Sequence, residues 1–164
     1  MLTGQELKRT NSATIKFTSD APLEIIKATS NSCQGILDLE SGKFAFKIFI
    51  KSFDGFNSPL QKEHFYENYM EVSQFPEATF AGKLIEEYNP SGQDKTILRA
   101  KGNLNIHGVE KERIIEVVLL KSGDDIEFNS SLDVLLKDHN IEIPSIVRQK
   151  IAEKIMVTVS GILR

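Results

Sequence analysis

The side chains able to do chemistry are few and widely spaced. Three histidines, His64, His107 and His139, lack the i, i+4 spacing that sets two metal ligands on one helix face. Brought together by folding, they could hold a metal for a metal-dependent enzyme. Against that, His107 sits in a His107-Gly108 turn and His139 in a polar loop, where solvated histidines are usual. Cys33 is the only cysteine, so an intramolecular disulfide and a cysteine-based zinc site are both excluded. Within Asn31-Ser32-Cys33-Gln34-Gly35 it reads as a small buried apolar residue rather than a redox thiol. No G-x-S-x-G nucleophile turn, Walker loop or G-x-G-x-x-G loop is present. The carboxylate pairs Glu86-Glu87 and Asp124-Asp125 are sequence neighbours, whose side chains point to opposite faces of a strand; they read as solubilising turn charges. His64 opens the aromatic stretch His64-Phe65-Tyr66-Glu67-Asn68-Tyr69. It could bond a backbone group while Phe65 and Tyr69 plug one end of the fold, or it could line a pocket mouth and touch a ligand's polar head.

The elements that must position these groups are mostly strands. Period-two alternation marks Ala13 to Ser19, Gly35 to Glu40, Lys43 to Lys51, Thr79 to Glu86, Leu98 to Ile106, Ile126 to Val134 and Ile155 to Ser160. Between Arg113 and Lys121 both faces are apolar. Ser41-Gly42, His107-Gly108 and Ser122-Gly123-Asp124-Asp125 are hairpin connections. Two stretches break the rhythm. Ser58-Pro59-Leu60-Gln61 starts a helix, with Ser as N-cap, Pro at the first helical position and Gln completing a capping box; it should run to about Glu71. A second short helix is expected from Pro144 to about Glu153, on the spacing of Val147, Ile151 and Ile155.

With 164 residues, 40% hydrophobic and 26% charged, the chain is one domain of ordinary size, large enough to bury a core without staples. Residues 1–12 read as an N-terminal extension and 13–164 as a single domain. A net charge of −3 without a basic cluster disfavours nucleic acid as a partner. No apolar run is long enough to be a membrane-spanning helix. The composition is unusual in one respect, with ten Phe and three Tyr but no Trp.

About eight antiparallel strands must form a sandwich or close into a barrel, since an open edge invites aggregation. The inferred inward face mixes rings (Phe17, Phe44, Phe46, Phe80, Phe128) with small residues (Gly82, Ala100, Gly102, Ser130), and small residues among rings leave room for an apolar cavity. The expected fold is all-β: an eight-stranded antiparallel lipocalin-like barrel with one or two short helices.

The run Phe53 through Gly82, containing Pro59-Leu60-Gln61-Lys62-Glu63-His64-Phe65, Glu67-Asn68-Tyr69 and Phe75-Pro76-Glu77-Ala78-Thr79-Phe80-Ala81-Gly82, resembles the YceI-like family of polyisoprenoid-binding proteins. Flanking matches are Ile15 to Pro22, Gly102 to Val109 and Asn140 to Pro144, so the resemblance covers nearly the whole chain. It implies a lipocalin-like barrel whose apolar tunnel takes an isoprenoid or other long-chain lipid, in a protein exported to the periplasm or beyond. The first eleven residues have no apolar leader core, so an export leader is expected to have been removed, with a cytoplasmic location left open. Tyr66 departs from the small polar residue expected there and should narrow the mouth or change the head-group contact.

The expected function is binding, storage or transport of a long-chain apolar ligand in the lumen, without catalysis, metal or cofactor. The expected lining is Phe17, Leu37, Leu39, Phe44, Phe46, Ile48, Phe80, Leu104, Ile106, Phe128, Leu132 and Val157, with His64, Phe65 and Tyr69 near one end. A slip of one residue in any strand would invert its members. The alternatives are the three-histidine metal enzyme and a stress-related interaction module with a filled core. A homodimer stays open, and no Lys or Arg stands out as a head-group partner.

Overall fold

The structure, a computed structural model, describes residues 7–164. The described residues form eight strands, β1 (Leu7–Asp20), β2 (Ile25–Asp38), β3 (Lys43–Phe49), β4 (Glu77–Leu84), β5 (Lys95–Ile106), β6 (Val109–Ser122), β7 (Asp125–Leu135) and β8 (Lys154–Leu163). Each pairs antiparallel with its neighbour, and β8 pairs back onto β1, closing the barrel. Closure leaves no edge strand, which is how an all-β chain of this size avoids edge-to-edge association. The turns are built as the sequence implies. His107 and Gly108 both adopt positive φ, 58° and 72°, the left-handed pair that matches a two-residue hairpin to the strand twist.

Several strands are longer than alternation suggests, β1 and β2 most of all. β1 begins at Leu7 rather than Ala13, so residues 7–12 of the expected extension belong to the barrel, and residues 1–6 lie outside the described ones. β2 begins at Ile25, well before Gly35. The reason is a pair of irregularities in the β1–β2 register, between Thr10 and Ala13 and between Ala13 and Ile15. Each bulge inserts a residue and breaks the period-two pattern. Inward residues on β2 therefore run Ile26, Ala28, Ser30 and then Cys33, Gly35, Leu37, a sequence no single alternation describes.

The two ends of the barrel differ. The β2–β3, β4–β5 and β6–β7 turns lie at one end, where Leu37, Phe44, Leu84, Leu119, Phe128 and Leu163 are all buried. The other end carries the long β3–β4 and β7–β8 connections. There the wall flares: β6–β7 pairing stops at Val117 and Ser130, although β6 continues back to Val109 and β7 forward to Leu135. β2–β3 pairing likewise stops at Gln34 and Lys47, and the gap beyond is bridged by Thr29 and Asp54.

The β3–β4 connection holds the helix α1 (Pro59–His64), which continues as a π-helical turn, Phe65–Tyr69. Ser58 Oγ accepts from the Gln61 N–H at 3.1 Å, as an N-cap should. Gln61 Oε1 reaches back one residue further than a standard box, to the Asn57 N–H at 2.9 Å. The second expected helix does not form. Residues 144–153 contain one 3-10 turn, Ser145–Val147, followed by turns bonded back to the Val147 carbonyl. The apolar spacing that suggested a helix instead places Val147, Ile151 and Ile155 along the cavity wall.

Candidate functional site

A cavity of about 570 Å³ occupies the barrel, within the range of roughly 300–1,000 Å³ usual for small-molecule sites. The expected apolar cavity is present, and the filled-core alternative does not describe this barrel: the strands enclose space because rings pack at the two ends and leave the middle to shorter side chains. At the closed end Phe44 and Phe80 lie 5.1 Å apart between ring centroids and Phe46 and Phe128 5.5 Å. The glycines beside them do not make the cavity; they seat the rings. A Cβ on Gly35 would overlap the Phe46 ring, and one on Gly161 would meet Phe128 at 3.0 Å. Above this floor the lining is aliphatic, with Ile15, Ile48, Leu104, Val117, Leu132 and Val157 contributed by six strands.

A second aromatic group roofs the other end. Phe65, on the π-turn, stacks on Phe17 at 5.3 Å and packs against Phe56 at 4.9 Å, while Phe53 meets Phe17 edge-on at 5.2 Å. Tyr66 latches this roof from outside. Its hydroxyl points at the carbonyls of Phe53, 2.5 Å, and Lys51, 3.0 Å, and burial pushes the phenol's pKa up. It does not line the cavity, so the expectation that it narrows the mouth is corrected.

The mouth lies between α1, the β1–β2 turn and residues 145–151. Of the lining residues, Ser58, Leu60, His64 and Lys150 are exposed, and all four lie on these segments. Polar lining gathers there too. Glu24 accepts from Asn57 Nδ2 at 2.9 Å and Gln61 Nε2 at 2.6 Å. Those two hydrogen bonds, with Lys150 nearby, hold its carboxyl below the usual range. Deeper in, Cys33 lines the cavity, and burial pushes its thiol up to about 11.

Fourteen of the fifteen expected lining residues border the cavity: Phe17, Leu37, Phe44, Phe46, Ile48, His64, Phe65, Tyr69, Phe80, Leu104, Ile106, Phe128, Leu132 and Val157. Leu39 does not. β2 ends at Asp38, so Leu39 belongs to the turn and packs against the core from there. Glu24, Gln61, Lys150, Phe53 and Phe56 were missed, because they come from connections that alternation does not read. The only available signal was the proximity of Phe53 and Phe56 to the helix start.

The three histidines share the open end but do not converge on a metal. His107 Nδ1 faces the His139 carbonyl at 2.9 Å, and its Nε2 faces Glu71 Oε2 at 2.6 Å. His139 is buried rather than solvated, with Nδ1 on the Val109 carbonyl at 2.9 Å. Among the described residues no group of three or more His, Cys, Asp or Glu is placed to hold an ion. These two histidines instead tie the end of the roof, the β5–β6 hairpin and the β7–β8 connection together. Glu86 is likewise more than a turn charge, since its carboxylate takes Arg99 Nε at 2.8 Å and Nη2 at 2.6 Å.

A closed eight-stranded barrel around an apolar, one-ended cavity defines a lipocalin-like architecture. The chain belongs to the YceI-like family, whose YceI-like domain model matches residues 8–162. A polyisoprenoid-binding domain from Saccharophagus degradans, implicated in plant cell wall breakdown, is similar in structure at a TM-score of 0.82 and 12% identity, over 97% of this chain and 98% of that one. Burkholderia cenocepacia BcnA is similar at a TM-score of 0.73 and 17% identity, over 93% and 96% of the two chains. At these identities the likeness is one of fold. A UPF0312 protein of Enterobacter sp. (strain 638) is 37% identical over 79 residues, which span 44% of this chain and 38% of that protein.

Proposed function

We propose that this protein carries or stores a long-chain apolar ligand, of polyisoprenoid, isoprenoid-quinone or fatty-acid-like type, in the barrel lumen. The observation that carries the reading is the cavity itself: about 570 Å³, walled by aliphatic and aromatic side chains and open at one end. Burying a methylene contributes about 0.8 kcal/mol, so a long tail binds firmly with hardly any polar contact. The polar lining at the mouth, Glu24, Gln61, His64 and Lys150, suits a tail-in, head-out orientation. The isoprenoid option is supported by the fold shared with the Saccharophagus degradans polyisoprenoid-binding domain. Organic extraction of freshly purified protein followed by mass spectrometry tests the reading. The expected extract contains a long-chain lipid in amounts comparable to the protein; a lipid-free extract would overturn it.

A further inference from the structure

An apolar molecule held in the lumen must enter and leave through the mouth, and the surface around that mouth is itself apolar. Ile146, at the tip of the Ser145–Val147 turn, is 90% exposed; Leu23, in the β1–β2 turn, is 67% exposed; Leu60, on the first turn of α1, is 58% exposed. They come from three segments separated in sequence but tied together in space. The Leu23 N–H donates to the Gln149 carbonyl at 2.8 Å, and Asn57 Nδ2 donates to the Ile25 carbonyl at 3.0 Å. The rim runs without a break into the lumen, because Leu60, Val147 and Ile151 line the cavity.

Charge around the rim is also organised. Arg148 and Lys150 follow Ile146, and among the described residues neither is ion-paired, whereas Lys62 on the same rim lies 3.3 Å from Asp54. The Glu24 carboxylate is held by the neutral amides of Asn57 and Gln61 and lies near Lys150, which leaves Arg148 as the rim cation with no carboxylate partner among the described residues. Exposed aliphatic tips beside cations held in no ion pair suit an interface between acyl chains and anionic head groups. A second copy of the chain fits less well, since a two-fold pairing of this face would bring the same cations near one another.

We propose that the mouth rim docks on an anionic lipid bilayer, with Leu23, Leu60 and Ile146 entering the acyl boundary and Arg148 and Lys150 meeting lipid phosphates. The ligand then passes between bilayer and lumen without crossing water. This rests on the lumen reading, and the two fail separately: extraction tests the lumen, vesicle binding tests the rim. The full chain is sedimented with phosphatidylcholine vesicles with and without phosphatidylglycerol. Wild type is expected to sediment with the anionic vesicles and to be released by salt. Leu23→Asp with Ile146→Asp should lose about tenfold in partitioning, and Arg148→Glu should weaken binding to anionic vesicles. None of these three side chains lines the cavity, so thermal unfolding should be unchanged in the variants. Docking is overturned if wild type ignores both vesicle types, if the double variant binds as wild type does, or if the face proves to close a concentration-dependent dimer that the double variant dissociates.

Discussion

A Cβ on Gly35 would overlap the Phe46 ring, so the smallest residue of β2 is what allows one of the largest of β3 to turn inward. Gly35→Val should overpack this seat and cost about 1–3 kcal/mol. For a domain of this size each kcal/mol moves Tm by about 2–4 °C, which a thermal melt resolves. Cys33 makes a second expectation at this scale. Its thiol is buried and pushed up to about 11, so at neutral pH it should react slowly with a maleimide or disulfide reagent in the folded protein and fully after denaturation. Rapid labelling of the native protein, followed by mass spectrometry, would contradict the burial. Phe17, Phe44, Phe46, Phe80 and Phe128 were legible as inward because each sits on an unbroken alternation. The glycines were legible as inward but not for their purpose: spacing says that a side chain is missing, not which ring occupies the place.

Among the elements, the strands announced themselves wherever hydrogen-bonded pairing is regular, and β5 and β7 appear nearly as alternation draws them. Bulges hid the first half of β1 and of β2, since an inserted residue reverses the face of everything before it. The connections were harder still. α1 was visible through its cap, Ser58-Pro59-Leu60-Gln61, whereas the segment after Pro144 has helical spacing but folds as turns along the cavity wall. Glu24 and Lys150 came from such segments and Gln61 was legible only as a cap, so of the polar mouth only His64 was read as such. The roof depends on the Tyr66 hydroxyl, which sits over the Lys51 and Phe53 carbonyls. Tyr66→Phe removes that donor and should cost about 1 kcal/mol. Hydrogen exchange should quicken in residues 50–70 and leave the floor of the barrel as protected as before; uniform exchange, or no change at the roof, would show that the latch does not hold it.

For the molecule as a whole, the Phe-rich, Trp-free composition resolves into two aromatic groups, a floor at the closed end and a roof at the flared one, with an aliphatic chamber between. A barrel of eight strands has room for one small ligand or for its own side chains. Here both happen at different heights, so a purely compositional reading could not separate a hollow barrel from a solid one. Ala78, the second residue of β4, lines the flared end of this chamber beneath the roof and packs against both core groups. Replacing it with a large ring takes up space inside the chamber at a residue that is not itself exposed at the mouth. Native mass spectrometry of freshly purified wild type and Ala78→Trp tests the central claim most directly. The expected result is a single lipid adduct on each wild-type chain and a bare mass for the folded variant. A bare wild-type chain, or the same adduct retained in the filled variant, would contradict a ligand held in the lumen.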